Sequence, residues 1–144
     1  MIFGFENIEK YIPQRKPMIM VDRLIEHHQQ YTLSGLLIAS DNVFVSNEVF
    51  SEAGLLENMA QTAALSKGYE TVESDLEPPL GFIGAVKNFQ VFSLPKVDDH
   101  LQTSIKVKHE VLNASIVDAE VSCGDQVIAS CELKIFLNPQ INHS

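Results

Sequence analysis

Glu57 is the one ionisable residue in Gly54-Leu55-Leu56-Glu57-Asn58-Met59-Ala60-Gln61-Thr62-Ala63-Ala64-Leu65. The stretch reads as a single helix that is apolar nearly all round, the pattern of a buried helix. Alanines at 60, 63 and 64 let another element pack closely against it. A carboxylate in such a place is costly unless it is paired, and groups of this kind gather at functional sites, where they do acid–base work. Gln61 falls one helical turn after Glu57, within hydrogen-bonding reach of its carboxylate. What stands opposite Glu57 decides which chemistry is open to it. The structural alternative is a carboxylate bonded to a neighbouring backbone group or to Gln14.

The other reactive residue types offer less. Cys123 and Cys131 have no Cys or His partners at metal-ligand spacing, so no metal site is expected. Both face the core in the hairpin register set out below. They then lie roughly 13 Å apart along the ladder, against about 4.4–6.8 Å for a disulfide. They read as packing residues. His27 and His28 fall in a polar connection and read as exposed turn residues, with a replacement catalytic histidine there as the sharper alternative. His109 alternates with Ile105, Val107 and Val111, which puts it on a core face. His100, beside Asp98-Asp99, reads as solvated, and His143 lies in the tail.

The elements that must position Glu57 follow from periodicity and punctuation. A short helical turn spans about Glu6–Tyr11 and ends at Pro13. Met18–Glu26 and Tyr31–Ala39 read as two strands joined through His27-His28-Gln29-Gln30. Ser51 is a natural N-cap for the helix, and Glu52 suits the positive end of its dipole. The helix is expected to run to about Lys67 and stop at Gly68. Glu70–Pro79, acidic and ending in a double proline, reads as a solvated loop. Strands then follow at Leu80–Phe92, Leu101–Val111, Ser115–Cys123 and Val127–Leu137. A three-residue turn, Gly124-Asp125-Gln126, sets Val117, Ala119, Val121 and Cys123 opposite Leu133, Cys131, Ala129 and Val127. Asp118, Glu120 and Ser122 then face Glu132, Ser130 and Ile128 on the other side. The layout is α+β: one long central helix wrapped by an antiparallel sheet of about six strands, in a single domain over residues 1–144.

Composition excludes several classes. The chain has 144 residues and a net charge of −9, which argues against a non-specific nucleic-acid binder. No run of about 18 apolar residues spans a membrane. The start, Met1-Ile2-Phe3-Gly4-Phe5-Glu6-Asn7, has neither a basic segment nor a cleavage site, so a cytoplasmic location is expected.

Three segments carry a family resemblance. Ile12-Pro13-Gln14-Arg15-Lys16-Pro17-Met18-Ile19-Met20-Val21-Asp22-Arg23 resembles the Leu-Pro-His-Arg-x-Pro-x-Leu-x-Val-Asp-Arg segment of hotdog-fold 3-hydroxyacyl-(acyl carrier protein) dehydratases. Leu56-Glu57-Asn58-Met59-Ala60-Gln61 is similar to that family's Glu-x-Met-Ala-Gln helix. Gly81–Phe89 is similar to its strand leading to a Lys/Arg–aromatic pair. Order and spacing match in all three. The subgroup resembled is the dehydratases of aryl-polyene or flexirubin-type pigment pathways.

The resemblance implies a hotdog fold and a dimer, or higher oligomer, whose sheets join. It also implies a tunnel at the interface for an acyl chain on phosphopantetheine, carried by an acyl carrier protein or CoA, with no further cofactor. In the family a histidine moves the proton α to the thioester, and a helix carboxylate of the other subunit serves the β-hydroxyl. Carried over, Glu57 takes the carboxylate role and Gln61 supports it. The N–H groups of Glu52, Ala53 and Gly54 at the helix start would polarise the thioester carbonyl. Gly84 would line the substrate path. Arg15, Lys16 and Lys87 would meet the phosphate or an acidic carrier, with plain solvated charges as the alternative. Asp22 and Arg23 read as an ion pair or hydrogen bonds that fix the first strand.

Two departures stand out. The family histidine is Gln14, whose amide has no pKa in the working range. The family's Gly-His-Phe-Pro-x-x-Pro loop is replaced by Ser46–Glu52. Three functions therefore compete. The first is a dehydratase, a lyase of fatty acid or polyene biosynthesis, with reduced or partner-dependent activity. The second is a hotdog thioesterase. The third is a non-catalytic subunit that lends Glu57 to a histidine-bearing dehydratase in a heterodimer.

Overall fold

The computed structural model describes residues 1–74 and 80–138. After a short 3-10 turn at Phe5–Lys10 come β1 (Arg23–His28), β2 (Tyr31–Leu37), β3 (Val45–Ser46) and β4 (Val49–Phe50). The long helix α1 (Glu52–Glu73) follows. Then come β5 (Leu80–Val91), β6 (His100–Val111), β7 (Ala114–Cys123) and β8 (Gln126–Asn138). Six strands form one antiparallel sheet in the order β1-β2-β6-β7-β8-β5. β3 and β4 make a separate small hairpin. The sheet packs around α1, which touches β2, β5, β6 and β7. This is the hotdog arrangement. Among the described residues no helix is long and apolar enough to cross a membrane.

The helix starts where its sequence says. Ser51 has extended backbone, and its hydroxyl accepts from the Gly54 N–H at 3.2 Å. The end departs from expectation. Gly68 does not stop the helix, which continues to Glu73. Gly68 is buried inside it, against the Tyr11 carbonyl. Tyr69 and Val72 beyond it pack on a second apolar cluster that includes Ile8, Tyr11, Val21, Leu24 and Leu65. That burial outweighs the cost of about 1 kcal/mol for a glycine inside a helix. Glu70–Glu73, read as loop, are therefore helical, while 75–79 lie outside the described residues, as does His143.

α1 does not present a purely apolar face to the sheet. Asn58, Thr62 and Ser66, four residues apart, are all buried and meet a polar row on the strands. Thr103 Oγ1 donates to Asn58 Oδ1 at 2.5 Å, Ser34 and Thr62 bond at 2.7 Å, and Thr32 Oγ1 donates to Ser66 at 2.7 Å. Thr62 Oγ1 also donates to the Asn58 carbonyl at 2.8 Å. The pitches match. Four helical residues rise about 6 Å and two strand residues about 6.8 Å, so Thr32 and Ser34 keep step with Ser66 and Thr62. Apolar packing by Leu36, Leu55, Met59, Leu101, Ile105 and Leu133 surrounds this row.

Several strand expectations need correction. β1 begins at Arg23, not Met18, because the groups of Met18 and Met20 bond to side chains of α1 instead of a strand. The turn into β2 is Gln29-Gln30, and His27 belongs to β1. His27 is largely buried: its Nδ1 meets Thr32 Oγ1 at 2.9 Å, its Nε2 lies 3.3 Å from Glu70, and its ring packs edge-on to Tyr69. His109 is exposed, because a bulge after Val107 breaks the alternation. At the last hairpin the pairs Val117–Leu133, Ala119–Cys131 and Val121–Ala129 hold. Beyond them the turn has two residues, and a bulge pairs Ser122 with Val127 and Cys123 with Gln126. Ile128 therefore turns into the core, and Val127 faces outward. Asp22 and Arg23 do fix the first strand. Arg23 Nε donates to Asp22 Oδ1 at 2.5 Å, and the Leu37 N–H donates to Asp22 Oδ2 at 2.7 Å.

Candidate functional site

Glu57 sits in the second turn of α1, half-buried. Its Oε2 accepts from Gln61 Nε2 at 2.7 Å. Gln61 is fully buried and uses both ends of its amide. Nε2 also donates to the Met18 carbonyl at 2.7 Å, and Oε1 accepts from the Met20 N–H at 2.6 Å. Asn58 completes the grip, donating through Nδ2 to the Met20 carbonyl at 2.7 Å. Two helix amides thus stand in for the missing sheet partner of residues 18–20, and the same bracket holds the Glu57 carboxylate.

The segment so held carries Gln14 and Arg15. The Met18 N–H donates to the Arg15 carbonyl at 2.9 Å, which folds the chain back just after Gln14. Arg15 serves this turn: Nη1 donates to the carbonyls of Ile12 and Gln14, each at 2.8 Å, and Nε pairs with Glu9 at 3.0 Å. Lys16 Nζ lies 4.4 Å from the centre of the Phe5 ring. Gln14 Oε1 is buried and has no hydrogen-bond partner among the described residues.

At the helix start, Glu52 and Ala53 are exposed. The Gly54 N–H is taken by Ser51, and its α-carbon packs so tightly that a Cβ would meet Phe50 at 2.6 Å. Gly84 and Lys87 are exposed on β5, and a Cβ at Gly84 would strike the Phe136 ring at 2.1 Å. Among the described residues no hydrogen bond or ion pair links either of them to Glu57 or Gln61 within the chain. The structure ties Glu57 and Gln61 to the Met18–Met20 backbone downstream of Gln14, and leaves the β5 residues on a sheet edge.

Asn58 and Thr103 are supporting neighbours of this bracket that sequence reasoning passed over. The signal was an asparagine inside an apolar helix stretch. Cys131 is buried beside Met59, and burial pushes its thiol up to about 11, which keeps it a packing group. Cys123 and Cys131 are both free thiols. No group of three or more His, Cys, Asp or Glu among the described residues is placed to hold a metal ion. A hollow of about 350 Å³ lies on the outer face of the sheet, lined by Asn88, Gln90, Lys106, Lys108, Asp118 and Glu132 among others. No residue of α1 lines it.

Residues 6–144 match the family model of ApeP-like proteins, described as ApeP dehydratase. The chain belongs to the ApeP-like dehydratases. This ApeP-like chain is 24% identical over 136 residues to the 3-hydroxyacyl-[acyl-carrier-protein] dehydratase FabZ of Shewanella baltica, covering 89% of this chain and 88% of the relative. It is 28% identical over 139 residues to FabZ of Magnetococcus marinus, covering 88% and 90%. Its fold is similar to the dehydratase heterocomplex ApeI:P from Xenorhabdus doucetiae, with a TM-score of 0.85 at 15% identity over 92% of this chain and 91% of that one. The ApeP-like protein is accordingly dehydratase-like.

Proposed function

We propose that the chain acts on 3-hydroxyacyl thioesters carried on the phosphopantetheine arm of an acyl carrier protein, as the carboxylate half of a composite dehydratase site in the cytoplasm. The observation that carries this reading is the bracketed Glu57: a half-buried carboxylate fixed by Gln61, with Gln14 where the resemblance places an imidazole. With Glu57 given to the departing hydroxyl, the Gln14 amide cannot serve as the base that removes the proton α to the thioester. A histidine-bearing dehydratase partner supplies that base.

In the elimination the partner's imidazole takes the α proton. The C3–O bond breaks as the Glu57 carboxylic acid protonates the departing hydroxyl. The electron pair forms the C2–C3 double bond, and water leaves a trans-2-enoyl thioester. Gln61 orients the carboxyl so that one oxygen is occupied and the other faces substrate. The N–H groups of Glu52 and Ala53 polarise the thioester carbonyl. Arg15, Lys87 and the backbone at Gly84 lie along the path of the arm.

Two further features support partnership. The ApeI:P assembly, whose fold this chain shares, is a heterocomplex. β5 is a twelve-residue edge strand with Ile83 and Val86 exposed, a ready template for pairing with another sheet.

The test is hydration of a trans-2-enoyl-carrier-protein thioester by the chain alone and mixed with a co-encoded histidine-bearing dehydratase. The expected result is activity in the mixture that Glu57→Gln lowers by about 100-fold or more. Full activity with Glu57→Gln overturns the assignment. Release of free thiol instead of hydration favours a thioesterase.

A further inference from the structure

We propose that the side-chain carbonyl of Gln14 accepts a hydrogen bond from the 3-hydroxyl of a 3-hydroxyacyl chain, so that the protein selects the hydroxylated acyl group over its saturated or dehydrated counterparts. The inference rests on the reading of the chain as a 3-hydroxyacyl thioester protein and adds what Gln14 does there.

The starting point is Gln14 Oε1, a buried acceptor with no partner among the described residues. Buried polar atoms are nearly always satisfied, so an orphan needs a donor from outside the chain. Its surroundings are not slack. The backbone carbonyls of Ile12 and Gln14 are both taken by the Arg15 guanidinium. The turn that follows is closed by the Met18 N–H on the Arg15 carbonyl. Met18 and Met20 are then locked to Gln61 and Asn58. The orphan is thus presented by a pinned segment, and this segment is tied to the amide that holds Glu57.

The missing donor follows from the substrate's chemistry. An amide oxygen only accepts. A thioester carbonyl also only accepts, so the two cannot pair. The hydrocarbon tail has no polar hydrogen, and the trans-2-enoyl product has none either. The 3-hydroxyl is the one O–H near the reacting carbons, and it disappears with the reaction. The acceptor therefore favours the hydroxylated chain over the dehydrated one. A saturated chain would set a methylene against Oε1 and leave it unpaired, at a cost that lowers affinity by about tenfold or more. A histidine at this position could serve as a base; glutamine serves only to recognise.

The experiment compares binding of three stable amide-linked pantetheine analogues that differ only at C2–C3: 3-hydroxyacyl, saturated acyl and trans-2-enoyl. Their arms are identical, so pantetheine amide donors cancel. The full chain, in the assembly in which it purifies, is tested as wild type, Gln14→Leu and Gln14→Glu. Wild type is expected to bind the 3-hydroxyacyl analogue about tenfold more tightly than the others. Gln14→Leu keeps the volume but removes the acceptor. It should lose that preference because the saturated analogue gains affinity once no acceptor is left unpaired, and that gain also shows that the variant is folded. Gln14→Glu keeps an acceptor and should keep the preference. Equal affinities in wild type, or a preference that survives Gln14→Leu, overturn the proposal while leaving acyl binding intact. Failure of all three analogues to bind overturns the thioester reading itself, and this inference with it.

Discussion

Gly68 lies against the main chain of Tyr11 so closely that a Cβ at 68 would meet the Tyr11 carbonyl oxygen at 1.8 Å and its carbon at 2.8 Å. The obstacle is backbone, so no side-chain rotamer relieves it. The contact ties the late turns of α1 to the N-terminal segment, where Phe3 stacks on Tyr11 at 4.6 Å and Tyr11 packs near Tyr69 at 5.6 Å. Gly68→Ala, normally favourable in a helix, should instead destabilise the protein by about 3 kcal/mol. Urea unfolding measures it, and a variant as stable as wild type would contradict the close approach.

Gln61→Leu should lower stability and function together. It leaves the buried Met20 N–H unpaired, at about 1–3 kcal/mol, and removes the bond to the part-buried Met18 carbonyl at a smaller cost. The Glu57 carboxylate also loses its orienting donor. We expect a loss of about 3 kcal/mol in unfolding, together with reduced hydration activity in the reconstituted assembly. Full activity with Gln61→Leu would show that Glu57 works without the bracket.

Asn58 and Thr103 are both fully buried and bonded to each other, so their substitutions should not add. Thr103→Val leaves the Asn58 Oδ1 acceptor unpaired and should cost about 1–3 kcal/mol. Asn58→Leu removes the Met20 contact as well and should cost more. The double variant should be less damaging than the sum, with a coupling of about 1 kcal/mol. A double-mutant cycle by denaturant unfolding reads this directly, and strict additivity would show that the bond contributes nothing.

Acid stability should depend on Glu110. Its hydrogen bond from Lys67 holds the carboxyl below its ordinary 4.5, against the opposing effect of partial burial, with Ser115 helping. A depressed carboxyl binds fewer protons folded than unfolded. Its contribution is therefore present above the unfolded value and lost as pH falls through the lower, folded value. Glu110 is 45% exposed, so the effect stays within about 1 kcal/mol. Lys67→Met should reduce the stability difference between pH 6 and pH 3, and an unchanged pH profile would rule the pair out as its source.

The local features were legible in the chain. Ser51 as cap, Glu57 and Gln61 as an i, i+4 pair, and three of the last hairpin's core pairs follow from chemistry within a few residues or from strict alternation. The wrapped-helix layout followed from one helix apolar nearly all round among a run of strands, and the family segments added the hotdog assignment. Other features were set by contacts between distant parts. Gly68 reads as a helix stop until the Tyr11 carbonyl fills the space a side chain would need. Met18–Met20 reads as strand, because nothing nearby reveals that Asn58 and Gln61, some forty positions on, take its backbone bonds. A bulge is a single extra residue with no signature of its own here, yet it sent Ile128 inward and His109 outward. Periodicity reports which residues an isolated helix or strand would bury. Which backbone groups find partners, and where one extra residue is absorbed, is decided only when helix and sheet are packed together and every buried donor and acceptor must be satisfied at once.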